Sequence, residues 1–260
     1  MLLDSEGGLG LYRVGEREIY FPLEFDPAFL GFIYDEVFVR RVYEHGECQV
    51  RPGDWVVDAG ACEGLFSLYA LEKGANVLAF EPVPQLVHAL EKNLDPFVRA
   101  GRAQIYPLAL GRQKEEKTIH IFRSNVAGST LSEEALRTRE EGPSSSFVVL
   151  VAPLDSLLSS LPPVSFLKAD VEGYERELLI GARETLRRFR PRLSICTYHR
   201  PDDPLMIRKL IKDSWPFYRI KFKGVLTHLC AWAGERRAFG KGDVNAGARS
   251  RLGLNSRARP

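Results

Sequence analysis

The chain has four cysteines in 260 residues, Cys48, Cys62, Cys196 and Cys230, with no C-x-x-C pair and no histidine at zinc-ligand spacing. That excludes a disulfide framework and a thiolate zinc site, and leaves four free thiols as the expectation. No run approaches the ~20 apolar residues of a membrane span. The start, MLLDSEGG, carries acids where a signal peptide needs basic residues. A cytoplasmic location with no membrane partner is expected. An excess of one charge is lacking too: 36 Lys and Arg stand against 34 Asp and Glu, a balance that recommends no partner. The balance hides a bias, because beyond Glu235 there are seven basic residues and one acid, Asp243. Everything before that tail is net acidic.

One more absence decides the ligand. The segment Asp54 to Gly64, DWVVDAGACEG, reads as strand, turn and helix, with Val56 and Val57 running into Asp58 and with Leu65, Phe66, Leu68 and Leu71 at helical spacing. A dinucleotide fold needs G-x-G-x-x-G and a helix aimed at a pyrophosphate. This turn is D-x-G-x-x-x-G, with an acid before it and Glu63 inside it, and two carboxylates would repel a pyrophosphate. Gly60 would allow a backbone closed to side chains, and Gly64 would let the helix start lie close to a ligand. The next apolar run, NVLAFEP, ends in Glu81, placed to accept hydrogen bonds from both hydroxyls of a ribose. A cationic nucleoside with an amino-acid tail suits such a site. S-adenosylmethionine carries a sulfonium and an ammonium and no phosphate.

Strands alternate with helices along most of the chain, which predicts an α/β fold with a parallel, doubly wound sheet. Residues 1–50 read as a β-rich lead-in, with a possible strand at Glu18 to Phe21 and a helix from Tyr34 to His45. Residues 51–235 read as the nucleoside-binding domain. Its strands begin near Val56, Asn76, Ala103, Val164 and Arg192, one helix covers Glu175 to Phe189, and a closing hairpin turns at Lys223-Gly224. Between Leu108 and Pro153 the alternation breaks. Two β-like runs there bracket a polar segment containing Ser124 to Thr130, and connections this long are often functional. The segment reads as a lid or as a surface excursion. The tail, 236–260, has few large apolar residues and is expected to be disordered.

Three segments, VVDAGACEG, FEP and FLKADVEGYERELLIGA, with His199 ending the strand after them, resemble the FkbM-type S-adenosylmethionine-dependent methyltransferases. The likeness covers roughly Tyr34 to Trp232, and its most discriminating piece is D-V-E-G at Asp170 to Gly173, followed by Glu175. The resemblance implies a class I methyltransferase (Rossmann-like) sheet of about seven strands, the last antiparallel, and methyl transfer to a hydroxyl of a small molecule or sugar. It also implies that Asp58, Gly60, Ala61 and Gly64 line the methionine part of S-adenosylmethionine, that Glu81 and Pro82 hold the ribose, and that Ala109 flanks the adenine. Asp170 stands at the tip of the fourth strand, where it would meet both cofactor and acceptor. Ser129 and Thr130 fall where the family has a small-residue loop near the acceptor. Cys62-Glu63 departs from the pattern, and Glu63 either points outward or helps to neutralise the sulfonium.

Methyl transfer from a sulfonium is an in-line displacement, so alignment of oxygen, carbon and sulfur supplies more than a base does: about 7 to 11 kcal/mol against ~3 to 5. Asp170 and His199, ending adjacent strands, are the candidate bases, with Glu172 beside them. Asp170 could instead cap the following helix and Glu172 could serve its dipole. The three could also bind a divalent metal, although their spacing is no recognised ligand signature and no metal is assigned. His45, His88, His120 and His228 read as structural or surface residues. The competing class is a nucleic-acid-binding or RNA-methylating protein that uses the basic tail. That tail lacks interleaved aromatics and the domain before it is acidic, so no nucleic-acid groove is indicated.

Overall fold

The computed structural model describes residues 1–137, 141–157, 159–224 and 227–233. The basic tail expected to be disordered lies outside the described residues.

The chain starts with a three-stranded antiparallel sheet, β1 (Leu2–Glu6), β2 (Leu9–Val14) and β3 (Arg17–Pro22), where the sequence suggested one strand. Tyr12, Ile19 and Phe21 alternate inward and are buried in the same core as Leu65, Leu90 and Leu94. The expected helix from Tyr34 to His45 is displaced. Helix α1 (Leu30–Tyr34) runs into a single π-helical turn, Asp35–Val39, and ends there. Arg40 ion-pairs back to Asp35 at 2.5 Å, and Arg41 takes a left-handed conformation that breaks the helix. Val42 and Tyr43 fit the helical spacing but are buried as irregular chain.

The main sheet is built from β4 (Trp55–Ala59), α2 (Leu65–Glu72), β5 (Asn76–Phe80), α3 (Pro84–Arg99) and β6 (Ala103–Tyr106), which wind in one direction. Next come β7 (Ala109–Leu110), β8 (Glu115–Ile121), α4 (Glu133–Arg137) and β9 (Ser145–Ala152), which form a separate three-stranded sheet ordered β7-β9-β8. The winding then resumes with β10 (Phe166–Ala169), α5 (Glu175–Gly181), α6 (Arg183–Phe189), β11 (Arg192–Cys196) and α7 (Asp203–Ser214), and closes on the hairpin β12 (Tyr218–Lys223) and β13 (His228–Ala233). The seven strands are ordered β12-β13-β11-β10-β4-β5-β6. Strands β11, β10, β4, β5 and β6 are parallel, and β13, the last in the chain, enters antiparallel beside β11. This is the expected doubly wound sheet with its last strand antiparallel.

Side chains alternate between two cores, one on each face. Val56, Val77, Ala79 and Phe166 face α2, α3 and the N-terminal sheet, whereas Val57, Leu78, Leu167 and Ile195 face α5, α6 and α7. The helix expected over Glu175 to Phe189 is two helices. A side chain on Gly181 would come within 1.9 Å of the Gly111 carbonyl oxygen, and at that contact the chain kinks through Ala182.

Candidate active site

The order reversal lies between β4 and β10, and ligands meet open α/β sheets at such a point. Asp58 and Lys168 are opposite each other in the β4–β10 register, both on the α2 side of the sheet. Asp58 is fully buried, and its carboxylate pairs with Lys168 Nζ at 3.0 Å and accepts from Ser67 Oγ at 2.7 Å. Lys168 Nζ donates onward to the Gly60 carbonyl at 2.7 Å and lies 5.3 Å from the centre of the Tyr43 ring. Asp58 thus faces Lys168 and braces the turn. Burial works to lower the Lys168 pKa, but Asp58 and Asp170 outweigh it and hold the ammonium charged.

Gly60 has φ +74°, and a side chain there would stand 2.0 Å from the Asp170 carbonyl oxygen. The turn therefore lies directly on the tip of β10. Gly64, at φ +99°, leaves room that is filled by Leu90 Cδ1 of α3, so its freedom serves helix packing where a ligand was expected. Between them Cys62 is left-handed, and its backbone N–H donates to Glu81 Oε2 at 2.9 Å. Glu63 is buried, so it does not point outward, and burial raises its pKa.

Glu81 ends β5 with 4% exposure. Its second oxygen accepts from the Val83 N–H at 2.9 Å. Burial pushes its pKa up to about 7 against the pull of those two backbone donors and of Lys168.

On the other side of the turn stands a denser cluster. Asp170 accepts from Tyr43 Oη at 2.6 Å and from Tyr198 Oη at 3.4 Å. Burial acts to raise its pKa, but Lys168 and His199 outweigh that and hold it below the usual range. The buried Glu175 accepts from the Val171 and Gly173 N–H groups at 3.0 and 3.1 Å, which fixes the D-V-E-G loop. His199 lies among the acids, with Nδ1 2.9 Å from Glu175 and Nε2 3.3 Å from Glu172 and 3.7 Å from Asp170. Burial alone would lower the His199 pKa, yet Glu175 and Glu172 push it up to about 11. Those carboxylates favour the protonated ring, which weighs against the expected role of His199 as a base.

Two cavities share Gly60, Cys62, Ala127, Asp170 and Glu172. The narrow one, about 60 Å³, reaches Glu81, Pro82, Ala109 and Ser129. The wide one, about 800 Å³, reaches Phe29, Phe32, Ala61, Phe66 and His228. Ser129 Oγ donates to the Val126 carbonyl at 2.6 Å, and the buried Thr130 Oγ1 donates to the Glu172 carbonyl at 2.5 Å. Thr130 thereby ties the 126–131 segment to the D-V-E-G loop. The structure brings together Gly60, Asp170 and Glu172 at the junction, Glu81, Pro82, Ala109 and Ser129 on the narrow side, and Ala61 on the wide side. It does not bring Asp58, Gly64, Thr130 or His199 to a wall of either cavity.

Sequence reasoning missed Lys168, Tyr43 and His228. A lysine inside the apolar run FLKA was a legible signal, since a charge in a buried strand requires a partner. Tyr43 was hidden by its helical spacing. His228 stands opposite Cys196 in the β11–β13 register and rests edge-on against Tyr43 at 5.7 Å. Burial lowers its pKa, which leaves it neutral where His199 is charged.

The strand order, the antiparallel last strand and a site across the tips of β4, β5 and β10 define a class I methyltransferase fold. Within that class the chain belongs to the FkbM methyltransferase family, whose domain model, "Methyltransferase FkbM domain", matches residues 58–214. Methyltransferase sdnD of Sordaria araneosa is 31% identical over 59% of this chain and 69% of its own length. The 31-O-demethyl-FK506 methyltransferase FkbM of Streptomyces tacrolimicus is 29% identical over 59% of this chain and 68% of its own. A crystal structure of methyltransferase FkbM from Methylobacillus flagellatus KT superposes with a TM-score of 0.56 at 22% identity, over 76% of this chain and 48% of that one. The chain therefore spans about half the length of that solved relative. Among the described residues no helix is long and apolar enough to cross a membrane.

Proposed function

We propose that the protein is an S-adenosylmethionine-dependent methyltransferase that methylates a hydroxyl oxygen on a small molecule or sugar. The observation that carries this reading is the Glu81 carboxylate. Each of its oxygens takes one backbone N–H, and a carboxylate has about four acceptor positions. The remaining ones are available to the two ribose hydroxyls. Ala109 and Ile119 then flank the adenine, and the Gly60–Cys62 turn meets the methionine part. The acceptor occupies the wide chamber, whose volume falls within the roughly 300–1,000 Å³ of small-molecule sites. The name of the Streptomyces relative, which refers to a 31-O-demethyl substrate, supports oxygen as the methylated atom.

The narrow cavity, about 60 Å³, is too small for a nucleoside. Val126, Ala127, Ser129 and Leu131 form one wall of it, so the 126–131 segment must swing out to admit the cofactor and can close over it. That is the lid reading of residues 108–153. In the closed site the chain's task is alignment of oxygen, methyl carbon and sulfur. His228, neutral and on the chamber wall, is the histidine able to take the acceptor's proton.

Calorimetric titration with S-adenosylmethionine and, separately, with NAD tests the reading. Micromolar binding of the first alone is expected, and binding of neither would overturn it.

A further inference from the structure

We infer that Asp170, Glu175 and His199, with Glu172 at the rim, form a divalent-cation site of the manganese or magnesium class at the junction of the two cavities. The carboxylate oxygens of Asp170 and Glu175 and a ring nitrogen of His199 lie within 4.8 Å of one another. The independent observation is the histidine itself. Its side chain is 7% exposed, and both ring nitrogens are shut from solvent with no aligned hydrogen-bond partner, although acidic oxygens stand 2.9 and 3.3 Å away. Close oxygens lying off the N–H directions are what ligands converging on a shared cation present.

Charge points the same way. Four carboxylates, Asp58, Asp170, Glu172 and Glu175, face one ammonium, Lys168, which Asp58 already holds. A ligating His199 must shed its proton, and a divalent ion then offsets two of the three remaining negative charges. The ligand positions are also braced: Glu175 by the Val171 and Gly173 N–H groups, and Asp170 by Tyr43. Such outer hydrogen bonds orient ligands at metal sites. Oxygen-rich donors with one imidazole suit Mn²⁺ or Mg²⁺ more than a thiolate-seeking ion. Three protein ligands leave coordination positions open; Asp170 and Glu172 line the chamber while Glu175 and His199 stand behind them, so a hydroxyl of the acceptor would reach the ion past Asp170. That role rests on the methyltransferase reading, whereas the cation site itself does not.

The test is titration of the full chain with Mn²⁺, followed by electron paramagnetic resonance of the free ion and by calorimetry. The same samples are titrated with S-adenosylmethionine, and folding of each variant is checked by circular dichroism. One Mn²⁺ per chain is expected, with affinity at least about tenfold weaker in His199→Ala and in Glu175→Gln. Absence of saturable Mn²⁺ binding by a chain that binds S-adenosylmethionine would overturn the proposal and reduce the cluster to an ion-paired loop clamp. Unchanged affinity in both folded variants would overturn it equally. Mn²⁺ binding without S-adenosylmethionine binding would uphold the cation site and defeat the functional reading instead.

Discussion

Two carboxylate sites flank the glycine turn, and they are built on opposite principles. At the tip of β5, Glu81 is buried with only backbone N–H groups against it, and its pKa is raised to about 7. At the tip of β10, Asp170 is partly buried, its side chain 17% exposed, and is held below the usual carboxylate range by Lys168 and His199. Desolvation acts upward on both carboxylates, and the cationic side chains around Asp170 overcome it there. One side is left poised to receive a neutral, hydrogen-bonding ligand such as a ribose. The other is committed to charge at any physiological pH, which suits cations and the alignment of a polar acceptor.

The comparison breaks most severely at Lys168. Replacing it by methionine leaves Asp58 buried beside an apolar chain, and removing one member of a buried pair costs about 3–5 kcal/mol. Urea unfolding of Lys168→Met should show that loss, whereas a change under 1 kcal/mol would mean that water reaches Asp58. Glu81→Gln comes next. It keeps one acceptor oxygen and the shape of the group but loses charge-assisted hydrogen bonds of about 1.5–3 kcal/mol each. S-adenosylmethionine affinity should fall roughly 10- to 100-fold in calorimetry, and full affinity would remove Glu81 from the ribose. Glu81→Ala is the poorer probe, because it strands the Cys62 and Val83 N–H groups in the interior and confounds binding with folding. Tyr43→Phe is smaller still. Loss of its bond to Asp170 should cost about 1.5 kcal/mol of stability while leaving cofactor affinity unchanged.

Much of this contrast could be read from the residues alone, and the reasons are local. Val56 to Asp58, the glycine turn and Glu81 are contiguous segments whose periodicity and punctuation dictate strand, turn and strand tip. The D-V-E-G loop likewise announces itself within a few residues. What escaped depends on register and on distant packing. Lys168 meets Asp58 only because β10 pairs with β4, and nothing within FLKA says which strand lies opposite. His199 looked like a base because a strand-tip histidine faces a crevice. Its charge is set by Glu172 and Glu175, which the loop folds back onto it. The helix expected over Tyr34 to His45 stops at Val39 because Arg41 turns left-handed, and the chain beyond it carries Tyr43 to Asp170.

The pH dependence of cofactor affinity sharpens the contrast with the smallest perturbation. Glu81 has a folded-state pKa of about 7 against an ordinary value of 4.5, so between those limits the folded chain binds more protons than the unfolded one. Its contribution to stability is full below about 4.5 and is lost as pH rises through about 7, and Glu63, also raised by burial, acts in the same direction. Ligand binding runs the other way. Ribose hydroxyls donate to the ionised carboxylate, so affinity should rise by up to about tenfold per pH unit below 7 and level off above it. Asp170, already ionised, adds no slope in that window. Calorimetry from pH 5.5 to 8 should therefore show increasing affinity in the wild type and a flat profile in Glu81→Gln. A slope that survives in the variant would assign the titration to another group at the turn, Glu63, whose pKa burial also raises.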